Sequence, residues 1–210
     1  MTIQNLNRKG IEMHNEISTP ISRSAAGFSA SPWLRTCGVV VGGSLLLAAC
    51  AHLSLPLWFT PVPLSAQPFA VLLLGLVLGP RLAATTMIAY LAEGIVGLPV
   101  FAPGIPGAAH LFGPTGGYLM AYPVAAVLVS MAWRSTQRGF FTAFASAVVG
   151  DLLILACGAA WLTVLSRAHM SSVFSASVLA FVPGDMLKAA AAAGMAWGGL
   201  RIAHTYEGRS

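Results

Sequence analysis

Polar and apolar positions along this chain separate into long blocks rather than alternating. The first 32 residues are polar, rich in Ser and Asn, and mixed in charge. The early basic residues are not followed by an apolar core of signal-peptide length. Apolar runs then cover about 34–57, 66–78, a third ending at 97, 115–133, 140–165 and 174–203. Gly79-Pro80-Arg81 and a Gly/Pro-rich stretch from Leu98 to Gly113 interrupt them. A membrane β-strand would alternate over about ten positions. These runs do not alternate, so each predicts a helix. A spanning helix needs about 20 apolar residues. The second and third runs are short for that, so tilt or shielding by neighbours has to make up the difference. No internal repeat is evident. The expected architecture is an all-α integral membrane protein of six transmembrane helices. Residues 1–32 form a polar, disordered extension, and 33–205 form the membrane domain.

Composition strengthens the membrane reading. Of 210 residues, 57% are hydrophobic and 8% charged, and the mean hydropathy is +0.79. A soluble domain carries about 25% charged residues. Net charge is +5, yet the basic residues stand singly at the ends of apolar runs. That pattern signals topology, not a phosphate-binding patch, and nucleic acid is excluded as a partner. With six spans, nine of the eleven Lys and Arg residues fall on one side: Arg8, Lys9, Arg23, Arg35, Arg81, Arg134, Arg138, Arg201 and Arg209. The positive-inside rule makes that side cytoplasmic, with both termini there. External loops are then expected at about 56–66, 98–114 and 166–174. The first two are apolar enough to fold back over a cavity between helices.

Four charged residues fall inside apolar runs and away from the extreme ends: Glu93, Asp151, Asp185 and Lys188. A charge at the bilayer centre costs roughly 2.5–3.5 kcal/mol on insertion scales. Such groups should face the bundle interior with partners. Asp185 and Lys188 are spaced i, i+3, so they share one helix face. Pro183 suits a first helical turn. Two readings stand for the pair: an intrahelical salt bridge that only neutralises itself, or a ligand site below the external surface. Glu93 can hydrogen-bond across helices or serve function. Asp151 reads better as packing, bonded to a Ser, Thr or Trp of a neighbour.

Cys37, Cys50 and Cys157 fit no ligand spacing and read as small core or lipid-facing residues. His52, His110 and His169 show no metal-binding spacing. No G-x-S-x-G, H-E-x-x-H or Walker A sequence occurs, so catalysis, metal and cofactor have no support. Gly38-Val-Val-Val-Gly42, followed by Gly43, lets helices approach closely. It serves either the bundle or a docking face for another membrane subunit.

Several stretches occur in order and close together: Phe59-Thr-Pro-Val-Pro-Leu-Ser-Ala-Gln-Pro68, Leu78-Gly-Pro-Arg81, Gly97-Leu-Pro-Val-Phe-Ala102 and Phe112-Gly-Pro-Thr-Gly-Gly-Tyr118. Gly184-Asp-Met-Leu-Lys188 follows in the last run. Together, over about 34–203, they resemble BioY, the biotin-specific substrate-binding (S) component of energy-coupling factor transporters. Ala102-Pro-Gly-Ile-Pro-Gly107 departs from the Gly-rich stretch expected there. The resemblance implies a six-helix S-component fold in the cytoplasmic membrane and high-affinity capture of biotin near the external side. It further implies uptake by toppling in the membrane. The implied partners are a transmembrane coupling subunit and two ABC-type ATPases. Docking on the coupling subunit through the first helix would use Gly38, Gly42 and Gly43.

Biotin offers a ureido ring with two N–H donors and a carbonyl, an apolar thioether ring and a carboxylate. Asp185 can accept from a ureido N–H. Lys188 can donate to the ureido carbonyl or to the carboxylate, and both assignments stand. Gln67 can do either. Phe101, Tyr118 and Tyr90 can supply an apolar wall with a polar tip. Gly104 and Gly107 would let backbone N–H groups reach the ligand. The alternatives are an S component for another vitamin, an intramembrane enzyme pairing Asp151 with Asp185, and a scaffold.

Overall fold

The computed structural model describes residues 31–58, 60, 62–102, 107–167, 178–179 and 181–207. The polar extension expected at 1–32 lies outside them, apart from Ser31 and Pro32. Among the described residues are six α-helices: α1 (Pro32–His52), α2 (Gln67–Val77), α3 (Pro80–Ile95), α4 (Gly116–Arg134), α5 (Phe140–Ser166) and α6 (Val182–Glu207). A short antiparallel pair, β1 (Ser54–Leu55) with β2 (Leu64–Ser65), joins α1 to α2, and a 3₁₀ turn, Gly107–Phe112, precedes α4.

Local chemistry sets most boundaries. Pro68 and Pro80 stand in the first turns of α2 and α3, where a missing N–H costs nothing. Gly97, at φ 93°, follows the end of α3. Two boundaries differ from the hydropathy runs. The first run continues to Leu57, but α1 stops at His52 because the chain turns into the hairpin that pairs Ser54 with Ser65. The last run begins near Phe174, but α6 begins at Val182, with Pro183 in its first turn, where its fixed φ and missing N–H are tolerated. Residues 174–177 are outside the described residues.

α1, α4 and α5 are each long and apolar enough to cross a bilayer. The 26-residue α6 has the length but carries Asp185, Lys188 and Arg201. α2 has only 11 residues, a rise of about 17 Å. It is shielded rather than tilted into contact with lipid: Gln67 and every residue from Ala70 to Leu76 are buried, packed against α4, α5 and α6.

Glycines set how closely these helices approach. A Cβ built on Gly75 would lie 3.0 Å from the Ala126 carbonyl of α4. One on Gly150 would overlap Val129, and one on Gly158 would overlap the Tyr118 ring. α1 touches the bundle through Gly43, whose added Cβ would lie 2.6 Å from Thr86 Cγ2, and through Ser44, whose hydroxyl donates to Glu93. Glu93 therefore serves as a cross-helix acceptor. Gly38 and Gly42 have nothing among the described residues within 4 Å of an added Cβ. The docking assignment to Gly43 is thus corrected: Gly43 is buried in the bundle against Thr86 and Leu74, while Gly38 and Gly42 stay exposed.

Candidate functional site

Helical spacing brings Asp185 and Lys188 together near the start of α6. Lys188 Nζ lies 2.8 Å from Asp185 Oδ1, and the side chains are 17% and 3% exposed. Asp185 stands in the first turn, where the helix dipole favours a carboxylate. Its backbone N–H donates to the Phe181 carbonyl at 2.9 Å.

Gln67 opens α2 and is buried. Its Nε2 donates to Tyr90 Oη at 2.7 Å, and Tyr90 Oη donates to the Val100 carbonyl at 3.0 Å. The relay fixes the amide from behind and ties α3 to the loop after it. Asp151, near the middle of α5, is 1% exposed, and neither carboxylate oxygen has a hydrogen-bond partner among the described residues.

These groups border one cavity. It is narrow and contains about 570 Å³ of space free of protein atoms, its open side included. Asp151, Asp185, Lys188 and Gln67 supply its charge and polarity. Tyr118, Tyr122, Ile154 and Phe181 form much of its apolar wall, and the hairpin contributes Val62, Pro63 and Leu64. An apolar cleft with a few convergent polar groups is the usual form of a small-molecule site. Described residues of both loops, the Pro-rich first and the Gly/Pro-rich second, border the space between helices, the second through Ala102 and His110.

The structure brings Asp185, Lys188, Gln67 and Tyr118 to the cavity and leaves others behind it. Tyr90 does not line it. Its hydroxyl is occupied by Gln67 and Val100. Phe101 also lies outside the wall, edge-on to Tyr90 at 5.5 Å and stacked on His110 at 5.1 Å, with Gly94 leaving room for its ring. Gly107 is away from the cavity. Its φ of 67° serves the entry to the 3₁₀ turn. Gly104 lies outside the described residues, as does His169.

Asp151 is corrected as well. Among the described residues it bonds to no Ser, Thr or Trp but faces the cavity with Asp185. Tyr122, His110 and Thr115 also reach the cavity. Sequence inspection missed them because an isolated Tyr, His or Thr carries no spacing signal. Among the described residues no three His, Cys, Asp or Glu side chains converge as a metal site.

Tyr90→Phe should remove both ends of the relay, leaving the Gln67 amide and the Val100 carbonyl short of a partner. An unmet buried polar group costs about 1–3 kcal/mol. The expected result is a melting temperature several degrees lower in detergent, with insertion unchanged. An unaltered melting curve would show that the relay carries no load.

Comparison with known proteins agrees with this geometry. The BioY family model matches residues 19–205, starting earlier than the motifs at 34–203. A probable biotin transporter BioY of Pyrococcus horikoshii is 38% identical over 132 residues, covering 63% of this chain and 76% of that protein. Biotin transporter BioY2 of Lactococcus lactis is 35% identical over 147 residues, covering 70% of this chain and 80% of that one. Among solved structures, the S-component for biotin from an ECF-type ABC transporter superposes with a TM-score of 0.75 at 26% identity, covering 80% of this chain and 92% of the other. A six-helix membrane fold with a partly buried ion pair at a narrow cavity, and a family match across nearly the whole chain, lead to one conclusion: this protein belongs to the BioY family.

Proposed function

We propose that this chain captures biotin for uptake, as the substrate-binding subunit of an energy-coupling factor transporter. The observation that carries the reading is the Asp185–Lys188 pair, its carboxylate buried and its ammonium partly so, opening with Gln67 onto an apolar, Tyr-lined cavity. Apolar residues of similar volume are often at least as stabilising as a buried ion pair, so a pair kept at a cavity points to a ligand. Biotin's fused rings suit the apolar wall, and its ureido group matches the polar cluster. The protein is a transporter subunit, not an enzyme, although Asp151 and Asp185 do border one cavity. Calorimetry of the detergent-purified protein with biotin, thiamine and riboflavin tests the ligand. Heat with biotin alone is expected; heat with another vitamin and none with biotin would replace it. No cofactor is invoked beyond this ligand.

The chain is a multi-pass membrane protein. We place it in the cytoplasmic membrane with the cavity facing outward and both termini cytoplasmic. In support, Arg35, Arg81, Arg134, Arg138 and Arg201 stand at helix ends opposite those that form the cavity. A transmembrane coupling subunit and two ABC-type ATPases are the proposed partners, with α1 as the docking helix. α1 keeps Gly38, Gly42, Val41 and Leu45 exposed on its surface. Gly42→Leu should leave biotin affinity and melting temperature as in the wild type but lower uptake at least about fivefold, because small residues set close helix approach in lipid. Wild-type uptake by that variant would rule out α1 docking at this point.

A further inference from the structure

Asp151 has no hydrogen-bond partner among the described residues although it is 1% exposed and borders the cavity. An unmet carboxylate inside a membrane bundle is costly. Packing does not account for it, because no described neighbour uses its oxygens. It stands near the middle of α5 and borders the same cavity as Asp185 and Lys188. The three groups together present two acceptors and one donor. A cyclic urea presents the complement: two N–H donors flanking one carbonyl acceptor. Two carboxylates against one ammonium also make the inner cavity a poor place for a ligand carboxylate.

We infer that Asp151 is the second acceptor for the ligand's ureido ring, which enters first and divides its two N–H groups between Asp151 and Asp185. Lys188 then donates to the ureido carbonyl. The ligand's carboxylate stays on the loop side, where Ser65, His110 and Thr115 border the cavity. This rests on the proposed capture of biotin and assigns its orientation.

The test uses the full-length protein in detergent, wild type and Asp151→Leu, with Asp151→Asn as the conservative variant. Each is titrated with biotin, biotin methyl ester and biotin methylated on a ureido nitrogen. In the wild type, esterification should cost less affinity than ureido methylation. Asp151→Leu should weaken biotin binding at least about tenfold, about 1.4 kcal/mol, and Asp151→Asn should recover part of it. Ligand-free Asp151→Leu should melt no lower than wild type, because the variant removes an unmet buried charge. Asp151→Leu binding biotin within about twofold of wild type would overturn the assignment. So would an ester that no longer binds while the ureido-methylated analogue does. A wild type that takes up no biotin would instead sink the capture reading beneath it.

Discussion

Lys188→Ala is expected to reduce biotin affinity by at least about a hundredfold while the protein still inserts as a monodisperse species. Lys188 is the cation at the cavity and is held by Asp185 at 2.8 Å. Truncating one partner of a buried, hydrogen-bonded charge pair costs about 2–5 kcal/mol, and each 1.4 kcal/mol is about tenfold. The alanine also leaves Asp185 and Asp151 bordering one cavity with no ammonium beside them. A lower melting temperature without ligand is therefore expected. Asp185→Asn with Lys188→Ala separates the two effects. Removing one carboxylate should restore much of the melting temperature and none of the binding. If the pair were a scaffold, that double variant would keep wild-type uptake. Unchanged affinity in Lys188→Ala alone would remove the pair from the site.

Gly117→Ala should be among the most damaging single methyl additions to the bundle. A Cβ at Gly117 of α4 would overlap Trp161 Cβ and lie 2.8 Å from the Cys157 carbonyl, both on α5. Neither is the far end of a flexible side chain, so the two helices must move apart. Overpacking of this kind costs about 1–3 kcal/mol and can cost more. The shift would also move Tyr118, which follows directly and fills the space left by Gly158, and with it the cavity wall. The expected result is a markedly smaller monodisperse fraction on size exclusion and a melting temperature lower by several degrees. Gly42→Ala is the contrast. Nothing lies within 4 Å of its added Cβ, and an alanine in a helix interior is favoured over glycine by roughly 0.5–1 kcal/mol. It should melt at or slightly above wild type. Equal behaviour of the two variants would contradict the packing of α4 on α5.

Much of the fold was legible because it rests on local or additive properties. Apolar blocks report the solvent, and Pro68, Pro80 and Pro183 mark helix starts by lacking an N–H. The two short runs also announced α2 and α3, but only the bundle reveals that α2 is buried by neighbours. The family resemblance carried the ligand; the residues alone left the Asp185–Lys188 pair open between salt bridge and site.

By itself, the sequence determined what is covalently near: six apolar helical segments, a shared face for Asp185 and Lys188, and arginines collected at one set of helix ends. It could not determine which way each helix turns. In lipid the outward face is as apolar as the inward one, so periodicity does not mark the buried side. That rotation decides that Asp151 faces the cavity instead of a serine, that Gly43 is buried while Gly42 is open, and that Tyr90 holds Gln67 from behind instead of lining the wall. Contacts between helices far apart in sequence exist only once the bundle is packed, and they give the pair on α6 its second carboxylate and its cavity.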